Sequence, residues 1–159
     1  MRPLRILAAA AALTAAVLFA SPALADTGHF HSATSAVDNG GALAVAVDER
    51  GLGTADVDYL LTANASAVYA CVNGGGQHPA PANKETVNAE VSANATFEPK
   101  NGRVVASITA GPPSAGAVTC PPGQRLVLTS LAYTGGVLGD LTNGVSIGVP
   151  DASGAFVAV

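Results

Sequence analysis

Apolar and polar residues alternate with a period of two through most of this chain. The clearest run lies between Val87 and Phe97, where every second residue is apolar and the residues between are Asn, Glu, Ser or Thr. Successive side chains of an extended strand point to opposite faces, so this run gives one buried and one solvated face. After residue 26, no stretch of ten residues keeps the 3.6-residue periodicity of an amphipathic helix. The pattern therefore predicts an all-β protein.

Turn-forming residues divide the alternating pattern into separate strands. Asn101-Gly102 and Asn143-Gly144 accept the positive φ of tight hairpin turns. We therefore expect 86–98 to pair with 103–110 as antiparallel strands, and 138–142 to pair with 145–149. The other predicted strands are 30–37, 43–47, 57–62, 67–71, a central strand 125–134 that is apolar on both faces, and a final strand 156–159.

The number and spacing of these strands favour two layers. Many short strands separated by Gly, Asn and Pro turns are typical of sandwiches and barrels. We predict an all-β antiparallel two-sheet sandwich of immunoglobulin-like architecture, formed as a single domain by residues 26–159. Tyr69 stands two residues before Cys71, as in the tyrosine corner of immunoglobulin domains, but the chain has no Trp for their usual core position.

Residues 1–25 have the parts of a secretory signal peptide. A short basic start is followed by an almost wholly apolar run and by Ser21-Pro-Ala-Leu-Ala25, which ends in the small-x-small pattern of a cleavage site. The apolar run is too short for a membrane anchor, and no later stretch reaches the roughly 20 apolar residues of a span. We expect a signal-peptide helix, cleavage after Ala25 and a secreted, extracellular mature chain.

The mature chain is acidic. It carries five Lys and Arg residues against eleven carboxylates, which gives a formal charge of −6. Scattered cations on an acidic chain provide no electrostatic footprint for nucleic acid or for an anionic membrane. We therefore expect neither as a partner, and interpret the charge as serving solubility.

Cys71 and Cys120 are the two cysteines of the chain. An even pair in an exported protein favours one disulfide bond. The alternatives are two reduced thiols or half of a metal site. Neither cysteine belongs to a Cys-x-x-Cys pair and no histidine lies at zinc-finger spacing, so we predict the disulfide. We expect this bond to tie the two sheets together.

The longest predicted loop, residues 73–84, is the candidate binding site. Its three glycines lack the Gly-Lys-Ser/Thr sequence of a phosphate-binding loop. Pro79 and Pro81 stiffen its second half, and Cys71 fixes its base. The polar groups that it presents on a rigid scaffold belong to Gln77, His78, Asn83 and Lys84. Binding sites often lie on such loops, although an ordinary loop at the end of a sandwich remains the alternative.

The sequence contains little that indicates metal or catalytic chemistry. His29 and His31 would face the same way on an extended strand, but no third ligand accompanies them, so we expect solvated histidines and neither metal nor cofactor. The chain has no Gly-x-Ser-x-Gly elbow, and the three tyrosines offer few aromatic platforms for sugars. We predict a non-enzymatic binding or cell-surface module with an extracellular ligand. The alternatives are an extracellular hydrolase with a carboxylate-based site and a small-ligand carrier.

Three segments resemble those of known proteins. They are Tyr69-Ala-Cys-Val-Asn-Gly-Gly-Gly-Gln-His-Pro79, Phe97-Glu-Pro-Lys-Asn-Gly102 and Cys120-Pro-Pro-Gly-Gln124. They are similar to segments of a group of small exported actinobacterial proteins that are described only as hypothetical secreted proteins. The resemblance spans most of the mature chain and implies export and a shared scaffold, but no activity, cofactor or catalytic residue. The chain also resembles, in size and export, the actinobacterial chromoprotein sandwiches that carry enediynes, which have two disulfides where this chain can form one.

Overall fold

The computed structural model describes residues 28–73 and 84–156. The regular structure of these residues consists of the strands β1 (His29–Val37), β2 (Leu43–Arg50), β3 (Val57–Asn73), β4 (Lys84–Phe97), β5 (Arg103–Ala110), β6 (Gln124–Asp140), β7 (Val145–Val149) and β8 (Ala152–Ala155). The predicted all-β class is confirmed. Within the described ranges, no helix has the length and hydropathy of a membrane span. The predicted signal peptide lies outside the described residues.

The strands form two antiparallel sheets that pack face to face. The small sheet has the order β1-β2-β5, and the large sheet has the order β4-β3-β6-β7, with β8 pairing along another part of β6. This arrangement confirms the predicted immunoglobulin-like sandwich. The fourth strand extends the second sheet, whereas constant-type immunoglobulin domains place it in the first.

The predicted pairing of 86–98 with 103–110 is wrong, because the chain crosses between the sheets there. Asn101 and Gly102 have φ values of 52° and 73°, and the N–H of Lys100 donates to the Arg103 carbonyl at 2.8 Å. The ladder does not extend beyond this one bridge. β4 instead pairs with β3, and β5 pairs with β2.

Two strands are longer than predicted. The segments 57–62 and 67–71 belong to one strand, β3, because the residues between them continue the alternation without a turn. The segments 125–134 and 138–142 belong mostly to β6, which passes through a bulge near Gly135, where φ is 60°. A bulge absorbs an extra residue without ending the strand. The hairpin around Asn143-Gly144 is confirmed by the pairing of β6 with β7.

A short strand precedes the predicted final strand, which lies almost wholly outside the described residues. β8 occupies 152–155, before the predicted 156–159, and residues 157–159 lie outside the described part of the chain. Its partner is the Ser130–Tyr133 segment of β6.

Three buried tyrosines of the large sheet connect it to the small sheet and its connections. The Tyr133 hydroxyl donates to the Gly41 carbonyl at 2.7 Å, and the Tyr69 hydroxyl donates to the Pro113 carbonyl at 2.5 Å. A buried phenol needs such a partner for its polar end. The core around the rings includes aliphatic side chains from both inner faces: Leu43, Val45, Val47, Leu61, Leu131 and Leu138.

The Tyr133 contact gives a first test of how the layers are joined. We expect Tyr133→Phe to lower the free energy of unfolding by about 1–2 kcal/mol, because the ring stays while the Gly41 carbonyl loses its donor. Urea denaturation measures the change, with Thr134→Val as a control that removes an exposed hydroxyl from the same strand. Equal losses in the two variants would contradict a role of the Tyr133 hydroxyl in joining the sheets.

The predicted disulfide is present, but it connects other elements than expected. The sulfur atoms of Cys71 and Cys120 lie 2.02 Å apart, with their Cα atoms 5.5 Å apart. Cys71 belongs to β3, and Cys120 belongs to the connection between β5 and β6. The expectation that the bond ties one sheet to the other is therefore wrong. The bond fastens the connection that crosses between the sheets to a strand of the large sheet.

Candidate functional site

The structure describes only part of the predicted binding loop. Gln77, His78 and Asn83 lie outside the described residues. Lys84 is half-buried at the start of β4, opposite Ala70. With the Cys71–Cys120 region, it lines a depression of about 300 Å³. We call this part of the sandwich, with the connection 111–123, the disulfide end. The grouping of the four predicted residues into one site stays a prediction.

Three connections meet at the opposite end of the sandwich, which we call the charged end. They are residues 51–56, 98–102 and 141–144, which link β2 to β3, β4 to β5, and β6 to β7. Backbone hydrogen bonds hold them to the sheets and to each other: the N–H of Leu52 donates to the Gly102 carbonyl at 3.0 Å, and that of Leu141 to the Asp58 carbonyl at 2.8 Å. In immunoglobulin variable domains, loops at one end of the sandwich bind the ligand.

Two carboxyl groups are buried beneath the charged end. Glu49 of β2 is 0 % exposed, and Asp140 at the end of β6 is 1 % exposed. Tyr59, the β3 partner of Asp140 in the sheet register, donates its hydroxyl to Glu49 Oε2 at 2.7 Å. Glu49 Oε1 has no hydrogen-bond partner among the described residues. The small sheet thus contributes one acid and the large sheet contributes the other acid and the phenol.

Asp140 is satisfied by the turn that follows it. Its Oδ1 accepts the N–H groups of Thr142 and Asn143 at 2.8 Å each, and its Oδ2 accepts the Asn143 side-chain amide at 2.5 Å. These bonds fix the start of the β6–β7 hairpin, as short polar side chains commonly do in turns.

Burial governs the ionisation of Glu49. The loss of hydration raises the pKa of Glu49 to about 7, because the hydrogen bond from Tyr59 lowers it less than burial raises it. The nearby charge of Asp140 raises the pKa further. Burial and the adjacent Glu49 likewise raise the pKa of Tyr59 far above its usual range. A carboxyl group with such a pKa has the acidity of a general acid. In this structure, however, both acids are closed off from any substrate.

Sequence reasoning missed this acid pair, although the alternation contains the signal. Leu43, Val45 and Val47 are on the inner face of β2, so position 49 is also an inner position. Leu138 faces inward in the same way, which makes Asp140 an inner residue. A carboxylate in phase with buried aliphatic residues is the pattern that identifies both groups.

The two histidines do not form a metal site with other described residues. Both are exposed, and the pairing of β1 with β2 shifts register between Phe30 and Ser32, at His31. Among the described residues, no group of three His, Cys, Asp or Glu side chains is placed to hold a metal ion.

An ion-pair cluster lies on the outer face of the small sheet at the charged end. Arg103 Nε and Nη2 contact the two Asp48 carboxylate oxygens at 2.7 and 2.8 Å. Arg50 Nη2 contacts the same carboxylate at 3.0 Å. The two guanidinium groups hold the pKa of Asp48 well below its usual range. The sequence indicated these residues only as scattered charges.

Comparisons with known proteins add no assignment to these sites. No protein-family model matches the chain, and the searches of curated proteins and of solved structures gave no match.

Proposed function

We propose that this protein is a non-enzymatic binding or cell-surface module that works outside the cytoplasm. The observation that carries the proposal is that the two buried carboxyl groups make structural contacts. Glu49 and Asp140 are 0 % and 1 % exposed, and they bond to Tyr59 and to a turn. A hydrolase of the carboxylate type needs both groups open to its substrate. In this chain, the bond between Glu49 and Tyr59 joins the sheets, and Asp140 fixes a turn.

The disulfide end is the proposed binding region. β3 and β4 pair up to Ala70 and Lys84, so the loop between them leaves a rigid pair of strands. The disulfide at Cys71 fixes the adjoining connection beside it. Loops held in this way by a sheet can present polar groups at low conformational cost.

A sedimentation experiment tests the proposal. The probe is insoluble cell-wall material of an actinobacterium, mixed with the purified chain 26–159. We expect the chain to sediment with the walls, and the combined substitutions Gln77→Ala, His78→Ala and Lys84→Ala to weaken retention about tenfold, because they remove the polar groups of the loop. The matched control, Thr34→Ala with Ser107→Ala, removes exposed hydroxyls from the small sheet.

Each outcome of that experiment has a definite meaning. A wild-type chain that stays in the supernatant contradicts the cell-surface role. Equal retention of the triple variant and the control places the binding surface outside the loop 73–84. Hydrolysis of wall polysaccharide by the wild type, lost in Glu49→Gln, would replace the binding role with catalysis.

Export is tested separately by mass. We expect the full chain, secreted from a bacterial host, to start at Asp26 and to have the mass of the oxidised form under non-reducing conditions. Treatment with a reductant should add two hydrogen masses. Material that keeps residues 1–25, or stays inside the cells, would contradict the predicted location.

A further inference from the structure

We propose that Arg50 and Arg103 at the charged end form a binding site for an oxyanion, a carboxylate or phosphate group of an extracellular ligand. This site lies at the end of the sandwich opposite to the predicted loop site and is independent of it.

The cations are concentrated on one row of that sheet. His29 pairs with Arg50, and Arg50 pairs with Arg103, across β1, β2 and β5. Residues directly opposite each other in antiparallel strands share a face, and the neighbouring Glu49 points into the core, so this row lies on the outer face. Lys100, the partner of Arg103 in the turn, adds a third formal cation. Three of the five cations of the mature chain are thus at one end.

Asp48 orients the two guanidinium groups. Each arginine gives it one Nε–H and one Nη2–H, with Nε distances of 2.7 Å for Arg103 and 3.4 Å for Arg50. A guanidinium has five N–H donors, so three donors of each remain outside these contacts. The two side chains are 43 % and 48 % exposed, while that of Asp48 is 13 % exposed. The shared carboxylate is therefore covered, and the arginines are open to solvent.

The adjoining turns form a depression at this cluster. A concave volume of about 390 Å³ is lined by both arginines and by Gly51, Asn101 and Gly102. The hydrogen bonds of the turn use the N–H groups of Lys100 and Arg103, which leaves those of Asn101 and Gly102 outside its pairing. A second depression next to it includes Lys100 and, as the opposing charge, Glu98.

The charges favour a ligand that brings a negative group. Two arginines against Asp48 leave one positive charge, and Lys100 offsets Glu98. Exposed ion pairs contribute little to the free energy of unfolding, so stabilisation of the fold is a weak explanation for this cluster. Two preoriented guanidinium groups match the geometry of carboxylate and phosphate oxygens, which they can bind with paired hydrogen bonds.

An NMR titration tests the site. The ¹⁵N-labelled chain 26–159 is titrated with sodium phosphate and, in a parallel arm, with sodium acetate, at an ionic strength held constant with sodium chloride. We expect saturable shifts of the Gly102 amide and of the Arg50 and Arg103 Nε–H signals in at least one arm. The arm with the tighter binding identifies a tetrahedral or a planar oxyanion as the preferred group.

Variants separate this site from general charge effects. Arg103→Gln should weaken binding about tenfold or more, and Arg103→Lys should weaken it less, because an ammonium keeps the charge without the fork. Arg125→Gln, which removes an exposed arginine at the disulfide end, should leave the affinity unchanged. The backbone amide spectrum of each variant reports whether it is folded. Non-saturating shifts, or equal weakening by Arg125→Gln, would overturn the proposal.

Discussion

Replacing Cys71 and Cys120 together by Ser is expected to lower the free energy of unfolding by about 4 kcal/mol, the largest effect that we predict for any substitution. The bond closes a chain segment with a sequence separation of 49 residues, and the loss of its constraint on the unfolded chain has this magnitude in the chain-entropy account. The bond also holds the crossover connection against β3. Urea denaturation of the oxidised wild type and of the double variant measures the difference.

The control for this prediction is the wild type itself in the presence of a reductant. The reduced wild type and the double variant should unfold at the same urea concentration, since both lack the same bond. A double variant that unfolds within about 1 kcal/mol of the oxidised wild type would contradict a stabilising role for the bond. If the double variant fails to fold, reduction of folded wild type followed by circular dichroism gives the same comparison.

The stability of the protein is expected to fall as the pH rises from about 4.5 to about 7. Glu49 has an ordinary pKa of 4.5 and a pKa of about 7 in the folded chain. Between these values the unfolded chain releases a proton that the folded chain keeps, so ionisation favours unfolding. The loss should be on the order of 3 kcal/mol and complete above the folded pKa. Below pH 4.5, Glu49 is protonated in both the folded and the unfolded chain, so its ionisation no longer changes the stability with pH.

The variant Glu49→Gln isolates the contribution of Glu49 to this pH dependence. The amide has the shape of the neutral acid, and its oxygen can accept the Tyr59 hydroxyl that Glu49 accepts at 2.7 Å. We expect the variant to have nearly constant stability from pH 4.5 to pH 8, measured as urea midpoints. A wild type and a variant with parallel pH profiles would contradict the assignment to Glu49.

Ionisation of Asp48 has the opposite effect on stability, and at lower pH. Its pKa is lowered by Arg103 and Arg50, so the folded chain keeps the ionised form where the unfolded chain is protonated. Its contribution is present above an ordinary pKa of 3.8 and is lost as the pH falls further. The two groups thus give pH dependences of opposite sign, Asp48 below pH 3.8 and Glu49 above pH 4.5.

The alternation of residues was sufficient for the fold class and for most strands. Leu43, Val45 and Val47, at alternate positions of a predicted strand, are buried, and so is Tyr59 in another. Local sequence was a weaker guide to which strands pair. Asn101-Gly102 does form a tight turn, but the pairing is decided by the partners that β3 and β2 offer. Pairing depends on the positions of distant strands, which a turn motif does not contain.

The candidate sites depended even more on the three-dimensional arrangement. Glu49 and Asp140 are separated by 91 positions in the chain and meet because β2 and β6 lie on facing sheets. Arg50 and Arg103 meet because β2 pairs with β5. The sequence indicated a binding loop from its composition, whereas Arg50 and Arg103 look like ordinary surface residues until the register is known.

β4 forms one margin of the large sheet, and that position has a consequence for the behaviour of the protein at high concentration. It is 14 residues long and, within residues 28–73 and 84–156, pairs on one side only, with β3. Its other edge has a row of backbone donors and acceptors able to align with an added strand. Its Ser92–Ala95 segment carries no charge that would repel a neighbour. We expect any aggregation of the folded chain to begin here, and Asn94→Lys to suppress it.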